Sequence, residues 1–321
     1  MTARSLPPFV AALLAALALA LVSSVLVTLS AAPATAVKPK NDHPRMPRSC
    51  VAPADLIPQE PTICALNQAE QGRPTVLLWG DSHAWQMIPA LMRAGKKKDV
   101  NLIAIVMGGC PPMDNAVKPG QPAPKCYRSN DVAIDFARQI VSSGEGHRVL
   151  LAASWQRYRK AFKTGDRSYT GDMARAMRKG TPRLMRTLAA MGAQTDVVGQ
   201  VATVPDNVRP CARGNQPYSC DIPRKAALAD SVGTKRYLTK LMRPLPAGAE
   251  LINVNGYFCT GSVCRGKVGS VHTWWDELHI SATMSRQLRG FLKPTVVKAD
   301  ESRPGEPDGQ PGCSLPVPIL C

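Results

Sequence analysis

Apolar and polar positions follow two alternating rhythms along this chain. Short runs built around consecutive apolar residues fall at Thr75–Trp79, Asn101–Val106, Arg148–Ala153, Gln194–Gly199 and Glu250–Val254. Longer stretches between them, at His83–Lys97, Asn130–Ser143, Asp172–Met191, Arg224–Met242 and Ser281–Leu292, repeat their apolar residues with helical spacing. The first pattern predicts strands buried on both faces, and the second predicts amphipathic helices. Strands and helices in such alternation predict a parallel sheet covered on both sides. The fold class expected is α/β: a three-layer α/β/α sandwich around a parallel five-stranded sheet. Reactive groups are then expected at the carboxyl ends of the strands.

The flanks depart from this rhythm. Residues 1–36 hold one charge, Arg4, then an apolar stretch from Phe9 to Ala32 and a small-x-small site at Ala34-Thr35-Ala36. That is the layout of an export signal, and Pro33 favours cleavage after Ala36. The stretch is also long enough to span a bilayer, so an uncleaved N-terminal anchor is the alternative, and the only contact with membrane expected. Residues 37–73 read as an extended, proline-rich lead-in, 74–298 as the folded domain, and 299–321 as a Pro/Gly-rich tail.

Ten cysteines in an exported chain point to disulfides rather than to metal ligands, and none of the spacings forms a Cys-x-x-Cys site. No metal and no cofactor is expected. Their order suggests local pairs: Cys50–Cys64, Cys110–Cys126, Cys211–Cys220, Cys259–Cys264 and Cys313–Cys321. Many other pairings are compatible with the count. The formal net charge is +17, which draws such a surface toward anionic envelope polymers or equally just keeps it soluble. The basic residues are scattered apart from Lys96-Lys97-Lys98, without a recognised nucleic-acid module, so no nucleic-acid partner is expected.

The candidate chemistry lies in Gly80-Asp81-Ser82-His83-Ala84, where the first strand ends and a helix begins. A serine there lies beside unpaired helix N–H groups that favour negative charge. Alone it reads as an N-cap. Near the other end of the chain Asp276-Glu277-Leu278-His279 supplies a base with a carboxylate three residues before it, the spacing that lets Asp276 hold one imidazole nitrogen while the other faces Ser82. Among the other histidines, His43 lies in the lead-in, His147 precedes a strand at its amino edge, and His272 has Gly269 where an aspartate is needed. His83 reads as structural or substrate-facing, and Asp81 as a cap or brace. Gly261 to Val268 nearly spells a phosphate-binding loop, but Val268 stands where serine or threonine belongs. The absence of a Gly-x-Ser-x-Gly elbow disfavours an α/β-hydrolase.

Gly80-Asp81-Ser82-His83-Ala84, Cys110-Pro111-Pro112 and Cys259…Cys264…Asp276-x-x-His279-Ile280-Ser281 together resemble the SGNH (GDSL-type) esterases and acyltransferases. The similarity runs from Cys50 to Leu292 and is closest to the extracytoplasmic SGNH domain fused to membrane acyltransferases of the acyltransferase-three family, which O-acetylate bacterial surface glycans. The resemblance implies a flavodoxin-like fold, catalytic Ser82, Asp276 and His279, and an oxyanion hole from the Ser82 amide with Gly108 or Gly109. It supports the middle disulfides; Cys313–Cys321 rests on proximity alone. The usual second oxyanion donor, an asparagine after the third strand, is replaced here by Ser154-Trp155. Trp155 is either a wall of the acyl pocket or core. Trp274 and Trp275 either stack on a sugar or shield the triad. The implied activity is O-acyl, and most plausibly acetyl, transfer or ester hydrolysis on envelope carbohydrate. The implied partners are that glycan and a separate membrane acyltransferase as a source of acyl groups. A non-catalytic glycan-binding or assembly module on the same scaffold is the competing expectation.

Overall fold

The computed structural model describes residues 41–115, 124–144, 146–205 and 220–301. The segment read as an export signal or anchor, and most of the tail, lie outside the described residues. Among the described residues no helix is long and apolar enough to cross a membrane.

The elements in chain order are β1 (Cys64–Ala65), β2 (Thr75–Gly80), α1 (Ser82–Trp85), α2 (Ile88–Ala94), β3 (Asn101–Val106), α3 (Pro124–Ser142), β4 (Arg148–Ala152), α4 (Trp155–Lys163) and α5 (Tyr169–Ala190). There follow β5 (Gln194–Val198), β6 (Ile222–Pro223), α6 (Arg224–Ala227), α7 (Ser231–Leu241), β7 (Leu251–Ile252), β8 (Cys259–Thr260), β9 (Val263–Cys264), β10 (Lys267–Val268), β11 (Val271–His272), α8 (Ala282–Gln287) and α9 (Arg289–Glu301).

The main sheet has the order β1-β3-β2-β4-β5-β7. The five strands expected from the apolar runs pair in parallel, and β1 adds an antiparallel edge. Every residue of β2, β3 and β4 is buried. Successive side chains of a strand point to opposite faces. Val76, Leu78, Leu102 and Leu150 accordingly join one apolar cluster with Leu91, Leu292 and Val296 of α2 and α9. Leu77, Trp79, Ile103 and Leu151 join a second with Phe136 and Leu188 of α3 and α5. These are the three layers.

The first parallel strand, β2, lies between the second and third, β3 and β4, which is the flavodoxin-like order. The chain leaves β2 toward β3 on one side and then crosses back to β4 on the other, and such a switch of direction is where a crevice is expected at the carboxyl ends of β2 and β4. Ser82 is two residues beyond the end of β2.

Several elements differ from expectation. The helix expected over 83–97 is two helices, because Pro89 at the start of α2 lacks an N–H and its ring excludes the carbonyl four residues back. The stretch 224–242 breaks at Leu228–Asp230, and Ser281–Leu292 becomes α8 and then α9, which runs on to Glu301. Helix α4 was not expected: its interior is strongly basic, and only its Trp155, Tyr158 and Ala161 face is buried. The lead-in is less detached than its composition suggests. It contributes β1, and Cys50–Cys64 ties it down. Cys110–Cys126 and Cys259–Cys264 are also bonded as expected. Cys211, Cys313 and Cys321 lie outside the described residues.

Candidate active site

The position of Ser82 begins with a close approach. Gly80 has φ +154°, and a Cβ there would come within 1.8 Å of the Ala152 carbonyl oxygen on the neighbouring strand β4. Only glycine fits, so the chain can turn sharply off the sheet. Asp81 then caps α1: its Oδ1 accepts from the His83 amide at 2.7 Å. Its Oδ2 accepts from the Ser154 amide and the Tyr158 hydroxyl, both at 2.9 Å. One buried carboxylate thus joins the turn after β2 to the start of α4. Burial raises the Asp81 carboxyl above its ordinary range, and the three donors and His279 oppose that shift. The same burial, with the Asp81 charge alongside, pushes the Tyr158 hydroxyl well up. Asp81 is a brace, as its sequence position suggests.

The second half of the site is a tight hairpin. Trp274 bridges Ile280, and the Trp275 amide donates to the His279 carbonyl at 2.9 Å. Inside it, Asp276 Oδ1 accepts from the amides of Leu278 and His279 at 2.8 and 2.7 Å. That leaves Oδ2 2.8 Å from His279 Nδ1, and Nε2 faces Ser82 Oγ at 2.7 Å. With the proton on Nδ1, the imidazole donates a hydrogen bond to Asp276, and Nε2 accepts one from the serine hydroxyl. Such a hydroxyl can be deprotonated as it attacks a carbonyl carbon.

Two residues that hold this hairpin in place were not read from the sequence. Gln86, buried in the break between α1 and α2, accepts the Ile280 amide through Oε1 at 2.8 Å. Asp42 of the lead-in accepts from the Thr283 amide at 3.1 Å and from its hydroxyl at 3.0 Å, at the start of α8. A glutamine among apolar neighbours, between Trp85 and Met87, was a weak signal for the first. Asp42 left none, because its partner is more than two hundred positions away.

The expected oxyanion donors lie at the end of β3. The Cys110 amide closes a turn onto the Met107 carbonyl at 3.1 Å, and Gly109 adopts φ +68° within it. The Cys110–Cys126 bridge holds this turn from behind, as does Asn130, whose Nδ2 donates to the Pro111 carbonyl at 3.2 Å. No hydrogen bond among the described residues engages the amides of Ser82, Gly108 or Gly109. The Ser154 amide, by contrast, is taken up by Asp81.

The tryptophans divide. Trp155 and Trp274 are fully buried, with indole N–H groups donating to the carbonyls of Val198 and Ala202 at 2.9 Å each. The substrate-pocket role suggested for these two is corrected: side chains closed off from solvent are core. Trp275 is half-buried and lies 6.3 Å from the His279 ring. It meets Trp85 edge-on at 5.9 Å, and Trp85 meets His279 at 5.8 Å. His43, set aside as part of a polar lead-in, packs on Trp275 at 5.3 Å.

The other histidines do other things. His147 accepts the Thr75 amide through Nδ1 at 3.0 Å, at the amino edge of the sheet, and burial lowers its pKa to about 4. His272 lies on β11. His83 is fully buried, and its ring is 5.4 Å from that of His279. Burial first, and then the charges of His279 and Arg157, hold it well below the ordinary histidine range, so it is neutral.

No curated protein matches the sequence. A solved structure, the periplasmic domain of a lipopolysaccharide acetyltransferase from Salmonella ser. Paratyphi A, aligns at 15% identity and TM-score 0.45, covering 72% of this chain and 86% of that one. Residues 49–294 match the profile of the family described as the SGNH domain fused to AT3 domains, and the chain belongs to that family.

Proposed function

We propose that the chain is an exported, serine-dependent O-acyltransferase or esterase that acts on cell-envelope carbohydrate through an acyl-enzyme, with acetyl as the group moved. The observation that carries this reading is the continuous relay from Asp276 Oδ2 through His279 to Ser82 Oγ, with contacts of 2.8 and 2.7 Å. Ser82 Oγ attacks the ester carbonyl as His279 Nε2 takes its proton, and Asp276 holds the imidazolium that forms. The amides of Ser82 and of Gly108 or Gly109 receive the developing oxyanion. His279 then protonates the departing alcohol, and water or a sugar hydroxyl resolves the acyl-enzyme. Three disulfides support an oxidising compartment outside the cytoplasm. A separate membrane acyltransferase is the proposed acyl source where transfer is the outcome.

A serine-reactive fluorophosphonate tests the reading. Labelling should map to Ser82 and vanish in Ser82→Ala, together with hydrolysis of 4-nitrophenyl acetate. A folded wild-type protein that resists the probe points instead to the glycan-binding module, which the replacement of the usual asparagine after β4 by Ser154-Trp155 favours. Transfer and hydrolysis separate when an acetyl donor is supplied with and without purified envelope glycan. Equal release of free acetate in both, with no acetylated glycan, leaves esterase.

A further inference from the structure

A pocket of about 850 Å³ opens beside the Ser82 site, in the range of small-ligand cavities. Its position is set at two points: Glu277 and Leu278, from the loop between Asp276 and His279, line it, and so does Ser154, which donates to Asp81. Its opposite character to an acyl pocket comes from α4. Arg157, Lys160 and Lys163, successive turns of one helix face, all line the cavity. Two carboxylates, Asp230 and Glu277, line it as well. Asp230 is already bonded by Arg159 and Lys163, each at 3.3 Å. Arg157 and Lys160 are exposed, and among the described residues neither side chain has an ion pair or hydrogen bond. Arg157 is near enough to the site for its charge to act on the His83 ring.

A second feature of the same wall points to a hydroxylated ligand. Gln156 lines the pocket, and its buried Oε1 has no partner among the described residues. A buried amide oxygen without a donor is costly, and a sugar hydroxyl would supply one.

We propose that this pocket is a subsite for an anionic group, phosphate or carboxylate, on the glycan handled at Ser82, with Arg157 and Lys160 as the charge partners and Gln156 as a hydroxyl acceptor. The inference rests on the acyl-transfer reading and adds the class of glycan. A fork-shaped guanidinium and an ammonium on adjacent turns suit an oxyanion. The basic helix then has a use beyond solubility: it draws an acidic polymer along the surface and holds one charged residue of it beside the serine.

The test measures binding, so it is independent of whether the serine reacts. Full-length Ser82→Ala protein is titrated calorimetrically with poly(glycerol phosphate), polygalacturonate and neutral dextran. At least one acidic polymer should bind, with affinity falling as salt rises, and dextran should not. Whichever of the two binds tells phosphate from carboxylate as the natural group. Arg157→Gln with Lys160→Gln, added to Ser82→Ala, should weaken that binding about tenfold or more. Lys96→Gln with Lys97→Gln removes the same charge elsewhere and should change it less than about twofold. Equal loss in the two double variants assigns the effect to net charge and overturns the subsite, as does binding of dextran alone or of nothing. Failed probe labelling with intact, pocket-dependent binding would refute the acyl-enzyme and leave the subsite standing.

Discussion

Gly80 is the point at which the sheet and the turn carrying Ser82 are joined, and Gly80→Ala isolates its contribution. The added methyl would lie 1.8 Å from the Ala152 oxygen, 2.9 Å from its carbonyl carbon and 3.1 Å from the Ala84 Cβ. The first two are backbone atoms of a paired central strand, so relief requires β2 and β4 to separate at their carboxyl ends. Overpacking of this kind costs roughly 1–3 kcal/mol, and a side chain at such a φ adds roughly 1–3 kcal/mol, for a total of about 4 kcal/mol. Gly72→Ala is the control. Its φ is +76°, yet nothing lies within 4 Å of the added Cβ, so it carries the backbone cost without the collision. In thermal unfolding, a domain of this size should lose about 4 °C in Gly72→Ala and about 10 °C in Gly80→Ala. Because Ser82 follows two residues later, a shift of ~1 Å should also lower kcat on a small acetyl ester about 100-fold in Gly80→Ala. Equal melting temperatures for the two variants, with unchanged kcat in Gly80→Ala, would refute the close approach.

Asp276→Asn should lower kcat by about 10⁴-fold through the wrong imidazole tautomer while the melting temperature barely moves; a loss under tenfold would argue against a relay through His279. Gln86→Ala leaves the Ile280 amide without its acceptor, costing about 1–2 kcal/mol in urea unfolding, and should lower kcat more than it raises KM because the hairpin carrying His279 loosens. His147 is neutral in the folded state, with a pKa of about 4 against 6.5 unfolded. The unfolded chain therefore binds the proton first as pH falls, and stability from this group is present above pH 6.5 and lost at about 1.4 kcal/mol per unit down to pH 4. Urea midpoints of wild type and His147→Gln at pH 7 and 4.5 should show the steeper acid loss in wild type, and parallel losses would count against a buried neutral ring.

What could be read from the sequence was what short-range chemistry controls. The apolar runs identified β2, β3, β4 and β5, because a strand covered on both faces favours apolar residues, and the buried Asp196 is held there by Arg148 at 3.1 Å, the Glu250 amide at 2.9 Å and the Thr295 hydroxyl at 2.7 Å. Gly80-Asp81-Ser82 announced a turn into a helix, and Asp276-x-x-His279 announced its own hydrogen bond, since three residues of a tight loop suffice to make it. The disulfides between described cysteines join residues 5 to 16 positions apart, again a local matter. What only the tertiary structure decided depends on contacts between distant segments. Nothing near Ser82 in the chain says that His279 Nε2 will reach its oxygen: that follows from Gln86 and Asp42, each bonded to backbone about two hundred residues away or more. The fates of the tryptophans were equally undecided, because a strand-end aromatic looks the same whether it faces a cavity or the core. Trp155 and Trp274 became core because carbonyls of the β5 end and the loop beyond it were there to accept their indole N–H groups. The basic face of α4 was hidden for the opposite reason: its lysines and arginines gave no apolar period to follow, and packing of Tyr158 against Asp81, rather than any repeat in the sequence, turned that face toward the pocket.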